Sequence, residues 1–192
     1  MTATVYNTLP YVIAAGEAFQ EREPIFAEVG ELFAKYDFKW GLCLVHRHCQ
    51  LYDDEIMIAD GYITQPISKS QAGEYYPENW LSSGEPYEFT TRKTETPPEE
   101  LFTALREILP KHLISILGVC HVDQQEDPVD LLEHTEGRKN ILVPQNTTGE
   151  LKGKRNVVET TWKFEQGEVK VMAACRAYCN VDCGGHDPNT HA

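Results

Sequence analysis

The stretch KWGLCLVHRHCQLYDDEIMIADGYI, residues 39–63, runs from an apolar segment through two histidines and an acidic turn into a second apolar segment. Its β-branched and aromatic residues read as two strands, 39–51 and 55–63, with Asp53 and Asp54 as the turn of a hairpin. Side chains alternate along a strand, so Trp40, Leu42, Leu44, His46 and His48 share one face and Cys43, Val45, Arg47 and Cys49 the other. A two-residue turn places Ala59 opposite His48 and Gly61 opposite His46, small partners that leave room beside the imidazoles. A four-residue turn instead brings Glu55 diagonal to His48.

Two helices stand out on either side of this hairpin. Ile25, Phe26, Val29, Leu32, Phe33 and Tyr36 recur at helical spacing over 24–36, with Pro24 in the first turn. Leu101, Phe102, Leu105, Ile108 and Leu109 do the same over 97–109, with Thr96 and Glu99 in a capping-box pattern and Pro110 as the stop. Further strands are expected at 86–92, 113–122, 129–135, 138–143, 156–164 and 168–179, the last two joined at Gly167. Residues 64–85 read as a long ordered loop anchored by Tyr75, Tyr76, Trp80 and Leu81 and able to cover a pocket. Hairpin-linked strands with two helices define an α+β class: a curved, mainly antiparallel β-sheet or open β-barrel with two packed helices. One domain over 1–182 and a frayed tail over 183–192 complete the expected organisation.

The 192 residues carry 17 Lys plus Arg against 30 Asp plus Glu, a net charge of -13 without a basic stripe. Such a field repels phosphate backbones and anionic lipid, so neither nucleic acid nor membrane is an expected partner. The N-terminal stretch lacks a basic export region and no window is apolar enough to span a bilayer, which makes the expected location cytoplasmic. The six cysteines then read as reduced thiols. Asn146-Thr147-Thr148 reads as a polar loop. The spacing of Cys175, Cys179, Cys183 and His186 superficially suggests a metal knuckle, but Cys175 and Cys179 on an extended strand would stand ~13 Å apart.

His46 and His48 are the chemical focus. Two neutral imidazoles side by side suit a divalent transition metal (Fe, Zn, Cu, Mn or Ni), with Glu55 and His121 as further ligands. They equally suit metal-free acid/base work, with His134 as a proton-transfer partner inside the charged cluster of Glu133, Glu136 and Arg138. The third reading makes them ordinary buried histidines at the wet end of a core strand. Gly41, His46, His48, Glu55 and Gly61 occur in the order of the first metal-binding motif of the cupin family, which this segment resembles. The resemblance implies a metal on a β-hairpin. It covers only residues 41–61, the spacings differ from the family's on both sides of the histidines, and the second cupin motif has no counterpart.

No Gly-rich dinucleotide fingerprint, phosphate-binding loop, nucleophile elbow or His-Glu-x-x-His occurs, so no nucleotide cofactor is expected. The expected function is a small-molecule enzyme with a pocket lined by Trp40, His46 and His48, performing oxygenase, isomerase, lyase or hydrolase chemistry. The alternatives are a non-catalytic small-ligand-binding barrel and a metal-free isomerase or cyclase. Arg47, on the far face, reads as solvent-facing. The expected partner is a small molecule, and the composition is compatible with a homo-oligomer.

Overall fold

Ten strands close on themselves in a computed structural model that describes residues 1–122, 131–144 and 157–176. They are β1 (Trp40–Leu44), β2 (Glu55–Asp60), β3 (Ile63–Ser68), β4 (Tyr76–Leu81), β5 (Pro86–Thr90), β6 (Leu117–His121), β7 (Leu131–Glu136), β8 (Lys139–Pro144), β9 (Val157–Glu165) and β10 (Glu168–Arg176). Around the barrel the order is β1-β6-β4-β5-β2-β3-β8-β7-β10-β9, with β9 returning to β1. Most pairs are antiparallel, but β2 runs parallel to β5 and β7 parallel to β10. The α+β class with packed helices holds, and the sheet closes into a barrel.

Among the described residues four helices accompany the barrel: α1 (Ala3–Tyr6), α2 (Val12–Ala18), α3 (Glu23–Ala34) and α4 (Glu99–Ile108). The latter two form where their apolar periodicity places them, burying Ile25, Val29, Leu32 and Phe33 on one and Leu101, Phe102 and Leu105 on the other. Thr96 does not cap α4. Its N-cap is Pro98, and acidic Glu99 and Glu100 face the positive helix end instead. The two N-terminal helices are absent from the sequence reading because each is too short to show a period.

Two cores lie on opposite sides of the sheet. Outside the barrel, Trp40, Leu42, Leu44, Trp80, Trp162 and Phe164 pack beneath α2, α3 and α4. Phe19 and Phe26 meet Trp162 at ring separations of 5.6 and 5.4 Å. Inside, Cys43, Val45, Cys49, Leu51, Met57, Tyr87, Cys120 and Val122 form a second cluster capped by Ala3, Tyr6 and Leu9 of the N-terminal segment. Helix α1 therefore plugs one end of the barrel.

Several expected elements are corrected. The strand expected over 39–51 stops at Leu44, and β1 pairs with β6 and β9, never with β2. Ala59 lies opposite Thr64, and Gly61 occupies the β2–β3 turn with a φ of 59°, so neither is the cross-strand partner of a histidine. The stretch expected as a loop, 64–85, contains most of β3 and all of β4; Pro66 and Pro77 lie within strands and masked the alternation. The strand expected at 113–122 begins only at Leu117. Gly167 takes up the left-handed backbone expected of it, with a φ of 78°. The expected tail at 183–192 and the Asn146 sequon lie outside the described residues. Among those described, no helix is long and apolar enough to cross a membrane.

Strand crossings are tight where glycine permits them. A Cβ at Gly118 would lie 2.2 Å from the Trp80 carbonyl oxygen and 2.9 Å from Val45, whereas one at Gly73 would meet nothing within 4 Å. Gly118→Ala should therefore lower stability by about 3 kcal/mol, as overpacking a rigid core does, and Gly73→Ala by far less. Urea denaturation midpoints of the two variants test the contrast. Equal midpoints would mean that β4 and β6 can separate at no cost.

Candidate functional site

Beyond Leu44 the chain leaves the sheet and turns into the barrel. Val45 N–H still donates to the Ile116 carbonyl at 2.8 Å, after which residues 46–51 are held from the N-terminal side. Arg47 N–H donates to the Pro10 carbonyl at 3.0 Å, and the His48 N–H to the Tyr6 hydroxyl at 3.1 Å. Asn7 brackets Leu51, accepting from its N–H at 2.8 Å and donating to its carbonyl at 2.9 Å. The Arg47 guanidinium stacks on Tyr11 at 4.0 Å and donates to the Asn7 carbonyl, so the residue anchors the clamp and is half-buried where a solvent-facing side chain was expected.

This path buries both histidines with their rings edge to face, centroids 4.7 Å apart. Trp40 does not join them. It packs under the helices against Tyr36, because β1 turns its even-numbered residues outward.

Around the histidines stand acidic and amide groups that the sequence reading did not assemble. His48 Nε2 lies 3.2 Å from Glu88 Oε1, and Asn79 Nδ2 donates to Glu88 Oε2 at 2.7 Å. His46 Nε2 lies 3.9 Å from Glu133 Oε2. The Cys175 thiol and the Asn140 amide hydrogen-bond to Glu133 as well. Ligand atoms of His46, Glu133 and Cys175 lie within 4.8 Å of one another, and all three residues are buried, so this group could hold a metal ion.

The charge states follow from the surroundings. Burial opposes charge on His48, but the charge and hydrogen bond of Glu88, with Glu133 behind it, outweigh burial and raise its pKa. Burial likewise works against ionised Glu88, and His48 and Asn79 overcome it, so Glu88 is held below the usual carboxylate range. His46 goes the other way, pushed down to about 4 by burial and by the neighbouring His48 charge. Burial raises Glu133 despite His48. The His46–Glu133 contact is within ion-pair distance, yet both shifts work against the charged pair.

A carbonyl only accepts, so the 2.7 Å contact from His46 Nδ1 to the Leu44 oxygen puts the ring proton on Nδ1. The Nε2 lone pair then faces Glu133 and Cys175. Fixing one ring nitrogen on a backbone carbonyl is how a metal-binding histidine is oriented.

Beside this group runs a chamber of about 380 Å³ lined by His48, Glu78, Asn79, Glu88, Glu133 and Asn140, among others, with Tyr62 and Arg92 among its wall residues. Two β-bulges shape its wall. Register shifts leave Glu78 on β4 and Tyr87 on β5 without direct partners, so that Glu78 and Asn79, adjacent in sequence, both line the chamber. On β10, Met172 and Ala173 do so for the same reason. Burial pushes Glu78 up to about 7, against Arg92, whose guanidinium lies 3.5 Å away.

His121 ends β6 and lines the chamber but does not belong to the buried His46 group. His134 is on β7 but points away from its neighbour Glu133, half-buried and 3.2 Å from Glu136. The expected cluster of Glu133, Glu136 and Arg138 thus splits between the two faces of the sheet. Glu55 is not a ligand of this group. Arg138 holds its carboxylate through two guanidinium contacts, one at 2.9 Å, and the Tyr52 N–H donates to it at 2.7 Å.

With β1 and β2 apart and Glu55 so engaged, the hairpin that resembled a cupin motif does not form. Cys43, Cys49 and Cys120 are free thiols, the Cys175 thiol hydrogen-bonds to Glu133, and Cys179, Cys183 and His186 lie outside the described residues. No protein-family model matches the chain, and no curated protein or solved structure matches it.

The Glu55–Arg138 pair makes a prediction about acid stability. Arg138 holds Glu55 below its ordinary value of 4.5. A lowered carboxylate contributes stability that is complete above the unfolded-state value and is lost as pH falls through the folded-state value. Glu55→Gln should therefore cost about 1 kcal/mol near neutral pH and nothing at about pH 2, flattening the acid limb of the stability curve. Denaturation midpoints of wild type and variant that stay parallel across this range would rule the pair out as a contributor.

Proposed function

We propose that this protein is a metal-dependent enzyme acting on a small molecule inside the barrel. The observation that carries the reading is the buried group of His46, Glu133 and Cys175 beside a chamber that Glu133 itself lines. Imidazole, carboxylate and thiol together favour Zn²⁺ over the other first-row ions, since thiolate is a soft ligand and carboxylate a hard one. Tetrahedral bonds of about 2.0–2.3 Å put ligand atoms about 3.4–3.8 Å apart, close to the present His46–Glu133 separation of 3.9 Å. Three protein ligands leave a fourth position, as in catalytic and unlike structural zinc sites.

When bound, such an ion polarises an oxygen or lowers the pKa of a water molecule. The remaining work belongs to the chain. His46 keeps Nδ1–H on the Leu44 carbonyl and offers Nε2 as a neutral donor. His48, charged through Glu88, is the proton donor facing the chamber, and Asn79 fixes the carboxylate that orients it. These parts suit hydrolysis, hydration or elimination on a polar substrate. A second reading rests on the opposed shifts of two carboxyl groups, Glu88 lowered and Glu133 raised, which would also serve metal-free acid/base isomerisation.

Zinc titration followed by calorimetry and elemental analysis separates the two. The expected stoichiometry is one ion per chain, abolished by His46→Ala and by Cys175→Ser and kept by His134→Ala. Affinity should fall steadily as pH drops, because thiol and carboxyl must lose their protons to bind. Retention of zinc by both ligand variants would sink the metal reading, and activity that survives chelation would favour the second. On either reading Glu88→Gln should reduce turnover by about a hundredfold, since it removes the charge that keeps His48 protonated.

A further inference from the structure

Three carboxyl groups line the chamber: Glu78, Glu88 and Glu133. Glu88 is paired with His48, and burial raises Glu133 beside the neutral His46, which leaves Glu78 to a cation at the rim. Arg92 meets Glu78 from the rim at 3.5 Å with 58% of its side chain exposed, while the Glu78 side chain is 20% exposed. A guanidinium so placed is largely solvated and holds the carboxylate weakly.

A buried amide in the chamber wall also has an acceptor to satisfy. Asn140 is 2% exposed and lines the chamber, and its Oδ1 has no hydrogen-bond partner among the described residues. A buried acceptor without a donor costs free energy unless a ligand or water supplies one.

We infer that the chamber takes a small organic cation, a primary ammonium or an amidinium, whose charged nitrogen seats on Glu78 in place of Arg92 and whose body extends toward Asn140. The inference shares with the proposed function only the premise that the chamber is a small-molecule site; it does not depend on a metal. A bound cation relieves what burial imposes on Glu78, and the net charge of -13 favours cation entry over anion entry. Arg92, released, returns to water. The other charged or titratable groups near Glu78 are Glu88 on β5 and Cys120 and His121 on β6. None of these side chains carries a permanent positive charge.

The test is calorimetric titration of the whole chain with n-butylammonium and benzamidinium, and with butyrate and benzoate as their charge-reversed counterparts, before and after chelation. Both cations should bind saturably at millimolar concentration or tighter, and neither anion should bind. Glu78→Gln, at a partly exposed position that folding tolerates, should weaken cation binding at least tenfold. Arg92→Ala should strengthen it several-fold by removing the competing guanidinium.

Affinity should fall about tenfold from pH 8 to pH 6, as Glu78 takes up a proton. Cys175→Ser and chelated protein should bind as wild type does, which separates this inference from the metal reading. Anions binding as well as cations, no saturable cation binding at tens of millimolar, unchanged binding by Glu78→Gln, weaker binding by Arg92→Ala, or loss of cation binding on chelation would each overturn it.

Discussion

The His48–Glu88 ion pair, 3.2 Å long and sealed inside the barrel, sets the state of everything around it. Taking two charges out of water is costly, and the cost is recovered only where geometry is good and the spare lone pairs are satisfied. Asn79 satisfies one on Glu88, and the Tyr6 hydroxyl holds the histidine's own backbone. Once His48 is charged, a second positive charge 4.7 Å away is unfavourable, so His46 stays neutral and keeps a lone pair for a ligand. One pair of adjacent histidines thereby acquires two different chemistries, a proton donor and a neutral nitrogen, from an asymmetry of carboxylates.

That asymmetry depends on features that break regular strand geometry. His46 and His48 reach the interior because the chain leaves the sheet at Leu44 and is tied down by Asn7, Pro10 and Tyr6. Glu78 and Asn79 both face the chamber because a bulge lets neighbouring residues point the same way. Helix α1, only four residues long, is therefore as much a part of the site as any strand.

The legible parts of the sequence were those with an uninterrupted period. Helices α3 and α4 and the β9–β10 hairpin at Gly167 follow directly from apolar spacing and turn chemistry. The importance of residues 46 and 48 could be suspected from their pairing, but not their partners. Glu88 and Glu133 come from strands β5 and β7, far along the chain, and a carboxylate on a strand looks the same in sequence whether it faces solvent or a histidine. The alternation of β7 did hold a usable signal: Glu133 shares parity with Leu131 and Thr135, the latter buried, and opposes His134. Pairing β1 with β2 failed for a physical reason too. An acidic turn between two apolar runs fits a hairpin locally, but β1 pairs on both sides with distant strands, β6 and β9. Non-local packing overrode the local turn.

The order of strands also constrains how the chain reaches this state. Without β9 and β10 the other eight strands make an open sheet with β1 at one edge and β7 at the other. The hairpin of residues 157–176 joins these edges, β9 antiparallel to β1 and β10 parallel to β7. β1, made early, thus waits for β9 and β10, made more than a hundred residues later, and two hydrogen-bonding edges stay open to other chains meanwhile. Long-range closure of this kind is slow to form. Cys175, on the closing hairpin, joins His46 and Glu133 only at that step, so the candidate metal site is completed by the same event that ends the molecule's exposure to aggregation.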